Sequence, residues 1–202
     1  MGTDLWAFEK KAARNGFFRI AGIDEAGRGP LAGPVVSAAV ILPDIFEASG
    51  ITDSKKLSPK TRERFYHEIY DQAVSIGIGI IDPPEIDRIN ILNASLLSMS
   101  MAVKNLLPEP DYLIVDGIFK VPLNLPQEPI IKGDMLSVSV ACASIVAKVT
   151  RDRLMDRYHQ DFPQYEFLRH KGYPTQAHKA AILKYGCCYI HRRTFKGVSE
   201  GL

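Results

Sequence analysis

The sequence predicts an α/β domain with a central mixed sheet of about five strands, flanking helices and a helical C-terminal part. Three observations carry this. Short runs rich in Val, Ile and Phe, bounded by Gly, Pro or Asp, read as strands. Longer stretches with apolar residues every three or four positions read as helices. The two kinds are interspersed without strict strand–helix alternation.

Residues 17–24 and 33–42 are two strands, and the Gly/Pro-rich stretch 27–34 between them predicts a hairpin. After a polar loop around Asp53, Ser58 and Pro59 occupy N-cap and N1 positions, and Phe65, Ile69 and Ala73 follow four apart, which makes an amphipathic helix. Residues 75–81 alternate Ile with Gly, a third strand weakened by its two glycines. Ile89, Leu92, Leu96, Met99, Val103 and Leu106 form one helical stripe that ends before Pro108. Residues 112–115 are an unbroken apolar run closed by Asp116 and Gly117. That pattern suits a strand buried on both faces, with its C-terminal end open to a site. A shorter run at 129–131 leads into Gly133 and Asp134, and helices are expected over 138–158 and 175–185. One domain over residues 1–202 is expected, with a basic helical part from about 148. The segments before Phe17 and after Phe195 carry no motif.

The chain has 202 residues and a mass of 22.4 kDa, with 46% apolar and 24% charged residues, an ordinary globular balance that excludes a disordered or collagenous chain. Its longest nearly unbroken apolar stretch, 35–42, is far short of the roughly 20 residues that span a bilayer. Asp4 and Glu9 precede any apolar run, so no secretory leader is expected, and three cysteines without a disulfide framework suit a reducing cytosol. The formal charge of +2 is unevenly spread. Residues 1–147 hold 14 Lys and Arg against 18 Asp and Glu, whereas residues 148–202 hold 11 against 5 and four of the five histidines. An acidic body with a basic last quarter suits carboxylates at a reaction centre and cations along a polyanion, and suits equally a solvated basic face.

Four carboxylates stand beside glycine at the ends of apolar segments: Asp24 and Glu25 before Gly27, Asp116 before Gly117, and Asp134 after Gly133. Any one of them alone is explained by closing a turn. Four together point to a cluster that needs a cation, and hard oxygen donors suit Mg²⁺ or Mn²⁺ rather than Zn²⁺. Adjacent side chains on a regular strand face opposite ways, so Asp24 and Glu25 share a site only where the strand ends. Gly27, Arg28, Gly29 and Pro30 are not a dinucleotide fingerprint. They form either a plain turn or a loop whose backbone approaches a phosphate or sugar. Lys55 and Lys56 follow Asp53 and Ser54 in a loop. Ser144, Lys148 and Arg151 lie four and three apart, on one helix face that is either solvated or meets successive phosphates. Tyr173 precedes a helix capped by Thr175, placed for stacking on a base or sugar or simply at the surface. Cys187, Cys188, His178 and His191 are a rival metal set, although vicinal cysteines fit zinc spacings poorly.

Taken together, six strings resemble the ribonuclease HII family, of bacterial type: 22–29 (GIDEAGRG), 53–57 (DSKKL), 115–117 (VDG), 132–134 (KGD), 143–152 (ASIVAKVTRD) and 170–173 (HKGY). The resemblance runs in order from about residue 18 to 195, with Cys142 where the family commonly has alanine. It implies a ribonuclease H-like fold and endonucleolytic cleavage of RNA in RNA/DNA hybrids. It also implies cutting 5′ of single ribonucleotides in duplex DNA, leaving 3′-hydroxyl and 5′-phosphate ends. By the same resemblance Asp24, Glu25, Asp116 and Asp134 bind two Mg²⁺ or Mn²⁺ ions. Gly27, Arg28 and Gly29 read the 2′-hydroxyl through their backbone, Lys55, Ser144 and Lys148 hold phosphates, and Tyr173 stacks on the sugar beyond the junction. A cytoplasmic monomer is expected. The rivals are a non-catalytic nucleic-acid binder, a different metal-dependent phosphotransferase, and a type 1 or type 3 ribonuclease H.

Overall fold

The structure is a computed structural model that describes residues 4–47, 50–51 and 57–198. Its sheet contains β1 (Ile20–Ala26), β2 (Val35–Ile41), β3 (Ser75–Ile81), β4 (Tyr112–Asp116) and β5 (Gln127–Ile130). The spatial order is β3-β2-β1-β4-β5. β1 and β2 are antiparallel neighbours, as the Gly/Pro-rich connection predicted, β3 pairs antiparallel with β2, and β4 and β5 run parallel to β1. The sheet is therefore mixed, with five strands.

Alternation of side chains along β1 and β2 divides the core into two layers. Ala21, Ile23, Ala39 and Ile41 face α4 (Ile91–Lys104), against Met99, Ala102 and Val103. Ala38 and Val40 face the opposite side, toward α5 (Val138–Asp161), over which α2 (Pro59–Gln72) packs through Phe65, Tyr66 and Ile69. The first half of α5 is buried on every side, and its small residues Ala141, Cys142, Ala143 and Ala147 let it lie close to the strands. Gly22 on β1 belongs to that contact: a Cβ there would overlap the Ser139–Val140 backbone. Gly77 and Gly79 have the same role on the other face, where a Cβ would meet the Ala102 and Ser98 carbonyl oxygens of α4. The two glycines that weaken β3 as a strand are what allow a helix to pack on it.

One expectation is corrected. The stripe starting at Ile89 is not one helix: α3 (Pro83–Ile89) ends there and α4 begins at Ile91. Asn90 sits between them at φ 66°, and its side-chain oxygen accepts the Asn93 N–H at 3.1 Å. Asparagine tolerates that backbone and caps the new helix, while apolar periodicity carries across the break because both helices pack on the same layers. The segment before Phe17 holds α1 (Ala7–Arg14), which is docked by buried Glu9. The Glu9 Oε1 accepts from the Ser139 hydroxyl at 2.7 Å and amide at 3.1 Å, and from the Ser137 hydroxyl at 2.5 Å. One polar residue within an otherwise unremarkable short segment gave no signal in the sequence.

The C-terminal part contains α6 (Phe167–His170) and α7 (Gln176–Tyr185), and its own core joins Met155, Tyr165, Phe167 and Ile190 to Ala32. No helix among the described residues is long and apolar enough to cross a membrane. Gly79→Ala should cost about 2 kcal/mol of stability through the collision with α4, read as a lower urea midpoint at unchanged slope. A wild-type midpoint would contradict the close packing of α4 on β3.

Candidate active site

The parallel pairing of β1 with β4, Ile23 opposite Val115, brings both C-terminal ends to one rim of the sheet. Asp24 and Glu25 reach that rim from β1 and Asp116 from β4. Asp24, only 5% exposed, faces the α5 layer, where it hydrogen-bonds the Ser144 side chain. Its Oδ1 also accepts the Glu25 N–H at 2.7 Å. Glu25 points to the other side and accepts from Arg28 Nη1 at 3.3 Å. Asp116 Oδ1 accepts the Gly133 N–H at 2.7 Å, tying β4 to the 3₁₀ turn Gly133–Met135 that carries buried Asp134.

Burial is the largest reason that the Asp24 carboxyl titrates well above the usual range, and the nearby charges of Glu25 and Asp116 push it further. Glu25 is raised to about 7, first by desolvation and then by Asp116, against the opposing pull of Arg28. Three His, Cys, Asp or Glu side chains in ready ion-holding geometry are not found among the described residues. Asp116 leans on the Gly133 amide and Asp24 on the Glu25 amide. The donor set nevertheless fits a hard divalent cation. It is all carboxylate oxygen, sits in a low-dielectric rim, and its self-repulsion is what a cation relieves.

Beside the carboxylates, Glu25, Gly27, Arg28, Gly29, Ser144, Lys148 and Tyr173 enclose a cavity of about 250 Å³. The structure thus brings together every substrate residue named from sequence except Lys55, which lies in 52–56, outside the described residues. Lys148 donates to Asp152 at 2.7 Å and stands 6.0 Å from the Tyr173 ring centre, while Tyr173 is 43% exposed.

Arg151 is a correction. It shares the helix spacing of Ser144 and Lys148 but is 1% exposed, and it meets no solvent where a phosphate would lie. Its guanidinium donates to the carbonyls of Pro34, Ala32 and Lys171 at 3.0, 3.1 and 3.1 Å. Arg192, which sequence reasoning missed, is fully buried and donates to Gly27, Arg28 and Gly33 carbonyls at 2.6, 3.0 and 2.8 Å. Together the two arginines hold the 27–34 loop from behind. The signal available in sequence was only their position in a basic tail, which spacing cannot separate from a solvated face.

The rival zinc set is not assembled either. His191 Nδ1 accepts the Cys188 N–H at 3.0 Å, so its Nε2 carries the proton and donates to His178 Nε2 at 3.1 Å. His178 Nδ1 then donates to the Tyr173 carbonyl at 2.9 Å. The bonding pattern assigns both tautomers as neutral. Burial holds both rings down at about 4. Cys187 packs instead in a separate apolar cluster with Leu31, Ile182 and Val198. These histidines fix the backbone of Tyr173 rather than an ion.

The family model described as Ribonuclease HII matches residues 21–198. The chain belongs to the ribonuclease HII family. The Ribonuclease HII of Geobacter metallireducens is 58% identical over 196 residues, 97% of this chain and 92% of that one. Among solved structures, the ribonuclease H2 of Pyrococcus horikoshii OT3 superposes with a TM-score of 0.76 at 26% identity, covering 91% of this chain and 97% of that one. Bst-RNase HIII in complex with Mn²⁺ shares the fold, with a TM-score of 0.70 at 21% identity over 94% of this chain and 71% of that one. This ribonuclease HII is an α/β protein of ribonuclease H-like fold and an endonuclease that hydrolyses RNA in RNA/DNA hybrids.

The depressed histidines set a pH sign. Unfolded rings take up protons below about 6.5, whereas the native rings stay neutral to about 4. The stability they contribute is therefore complete above about 6.5 and lost as pH falls toward 4. NMR titration of His178 and His191 should show both rings neutral at pH 6. Midpoints near 6.5 would contradict the relay.

Proposed function

We propose that this ribonuclease HII cuts duplex DNA 5′ of a single embedded ribonucleotide, leaving 3′-hydroxyl and 5′-phosphate ends, and so serves removal of ribonucleotides from DNA. The observation that carries the reading is a cavity shared by carboxylate Glu25, the backbone of Gly27, Arg28 and Gly29, and Tyr173. Backbone groups there can pair with a 2′-hydroxyl, the one group that marks RNA. Tyr173 is proposed to stack on the sugar beyond the junction, and Ser144 and Lys148 to hold phosphates. Lys55 is proposed as a further phosphate contact.

Asp24, Glu25, Asp116 and Asp134 are the residues that would hold two Mg²⁺ or Mn²⁺ ions. Such ions, when bound, make water a nucleophile at neutral pH and offset charge on the leaving oxygen. The protein's own groups do the rest. Asp24 and Asp116 are oriented by amide N–H groups, and Arg28 neutralises part of the Glu25 charge. The neighbouring Bst-RNase HIII complex with Mn²⁺ is in keeping with this choice of ion. Working as a monomeric single catalytic domain in the cytoplasm suits its three free thiols.

The test is cleavage of three labelled duplexes, with one ribonucleotide, all DNA, or a long RNA/DNA hybrid, in Mg²⁺, Mn²⁺ or EDTA. Metal-dependent cutting 5′ of the lone ribonucleotide with DNA untouched is expected, and cutting of the long hybrid alone would overturn the junction reading. Asp24→Asn should lower cleavage about 10²-fold or more while duplex binding persists; near-wild-type cutting would remove Asp24 from the mechanism. Tyr173→Ala should lose about ten-fold more on the single-ribonucleotide duplex than on the long hybrid, and equal losses would count against junction reading. Millimolar Mg²⁺ or Mn²⁺ should raise the melting temperature by relieving carboxylate repulsion, and this shift should shrink in Asp24→Asn. An unchanged melting temperature would oppose a metal-binding cluster.

A further inference from the structure

The carboxylate rim has a second cavity, on the α4 side of the sheet, of about 300 Å³. Glu25, Arg28 and Asp116 form one wall, so it shares Glu25 and Arg28 with the reading cavity. The remaining lining differs in kind. Leu92, Leu96, Met99, Ile118, Phe119 and Ile131 supply an apolar surface. Ile118, Phe119 and Ile131 are 65%, 45% and 65% exposed, a cost in water that an occupant would recover. The one hydroxyl in this wall, that of Ser95, donates to the Ile91 carbonyl at 2.9 Å. Lys132, also at the rim, holds a left-handed backbone at φ 60°, a strain that native structures keep at ligand-contacting turns.

The two cavities flank Glu25, and their chemistry is opposite. The reading side offers polar backbone and Ser144 and suits a sugar bearing a 2′-hydroxyl. The α4 side, away from its Glu25, Arg28 and Asp116 wall, is hydrocarbon and offers such a hydroxyl few partners. A strand whose scissile phosphate sits at the carboxylates must pass from one cavity into the other. With the ribonucleotide 3′ of the cut, the α4-side cavity receives the nucleotide 5′ of it.

We propose that the cavity bounded by Leu96, Ile118, Phe119 and Ile131 is a subsite for the sugar 5′ of the cut, and that it selects deoxyribose over ribose there. Arg28 and Lys132 meet the flanking phosphates. This rests on the junction reading above. The enzyme then reads both sugars at the cleaved bond, a hydroxyl on one side and its absence on the other. An apolar pocket rejects an added hydroxyl only moderately, by no more than about 10²-fold, so the preference is graded.

The experiment measures kcat/KM at one defined bond, 5′ of a ribonucleotide, in two duplexes that differ only in whether the preceding nucleotide is deoxyribo or ribo. The wild-type protein should cut the bond preceded by deoxyribose about five- to ten-fold faster. Phe119→Ser and Ile131→Ser, both at exposed positions, should bring that ratio close to one, with an unchanged melting temperature as the check on folding. A wild-type ratio of one, or a ratio that survives in both variants, overturns the subsite while leaving the junction reading intact. Failure of the wild-type protein to cut either duplex overturns the junction reading itself and the subsite with it.

Discussion

Two guanidinium groups buried beneath the loop between β1 and β2 tie the candidate site of this protein to its fold. Arg151 and Arg192 are 1% and 0% exposed, and their partners are main-chain carbonyls between Gly27 and Pro34, with Lys171 as the one outlier. Burial pulls Arg151 down to about 10 and Arg192 to about 9, so both remain cations at neutral pH. Burying two cations is expensive, and charge-assisted bonds to carbonyl oxygens are what offset it. A Cβ at Gly27, where φ is +99°, would strike the Arg151 side chain, so the loop and the arginine fit only with glycine there. The C-terminal part thereby clamps the turn between β1 and β2, and the Tyr173 segment is clamped with it through Lys171 and the histidine relay.

The sheet supplies the other half of the site. Parallel pairing of β1 and β4 sets carboxylates side by side, and alternation along β1 sends Asp24 toward α5 and Glu25 toward α4. One rim therefore serves two faces of the sheet. The repulsion among these acids is unfavourable to the isolated protein and is what a bound cation would relieve. A polar cavity on one face and an apolar cavity on the other give the rim a direction, which a strand of nucleic acid, itself directional, can follow.

Much of this was legible in sequence because local rules and tertiary demands agree. Strand β3 and the helix start at Pro59 match the sequence reading, since alternation and an N-cap serine are local signals. The placement of Asp24, Glu25 and Asp116 at strand ends was legible because strand ends need turns. Arg151 was misread because helical spacing reports a face and not what covers it. The cover comes from Ala32, Pro34 and Lys171, far away in sequence. The His178–His191 pair and the buried Glu9 were illegible for the same reason: each is explained by a partner that only the fold brings near. The break at Asn90 was hidden because apolar periodicity continued across it.

The most direct measurement of the dependence on buried guanidinium is the cutting rate of Arg192→Met on a duplex with one ribonucleotide. Methionine fills much of the space without charge or donors, so the sheet stays folded while the carbonyls of Gly27, Arg28 and Gly33 lose their anchor. The account predicts a loss of about ten-fold or more in a protein that still melts cooperatively, as expected when groups lining the site move by a fraction of an ångström. Wild-type cutting by that variant would contradict it.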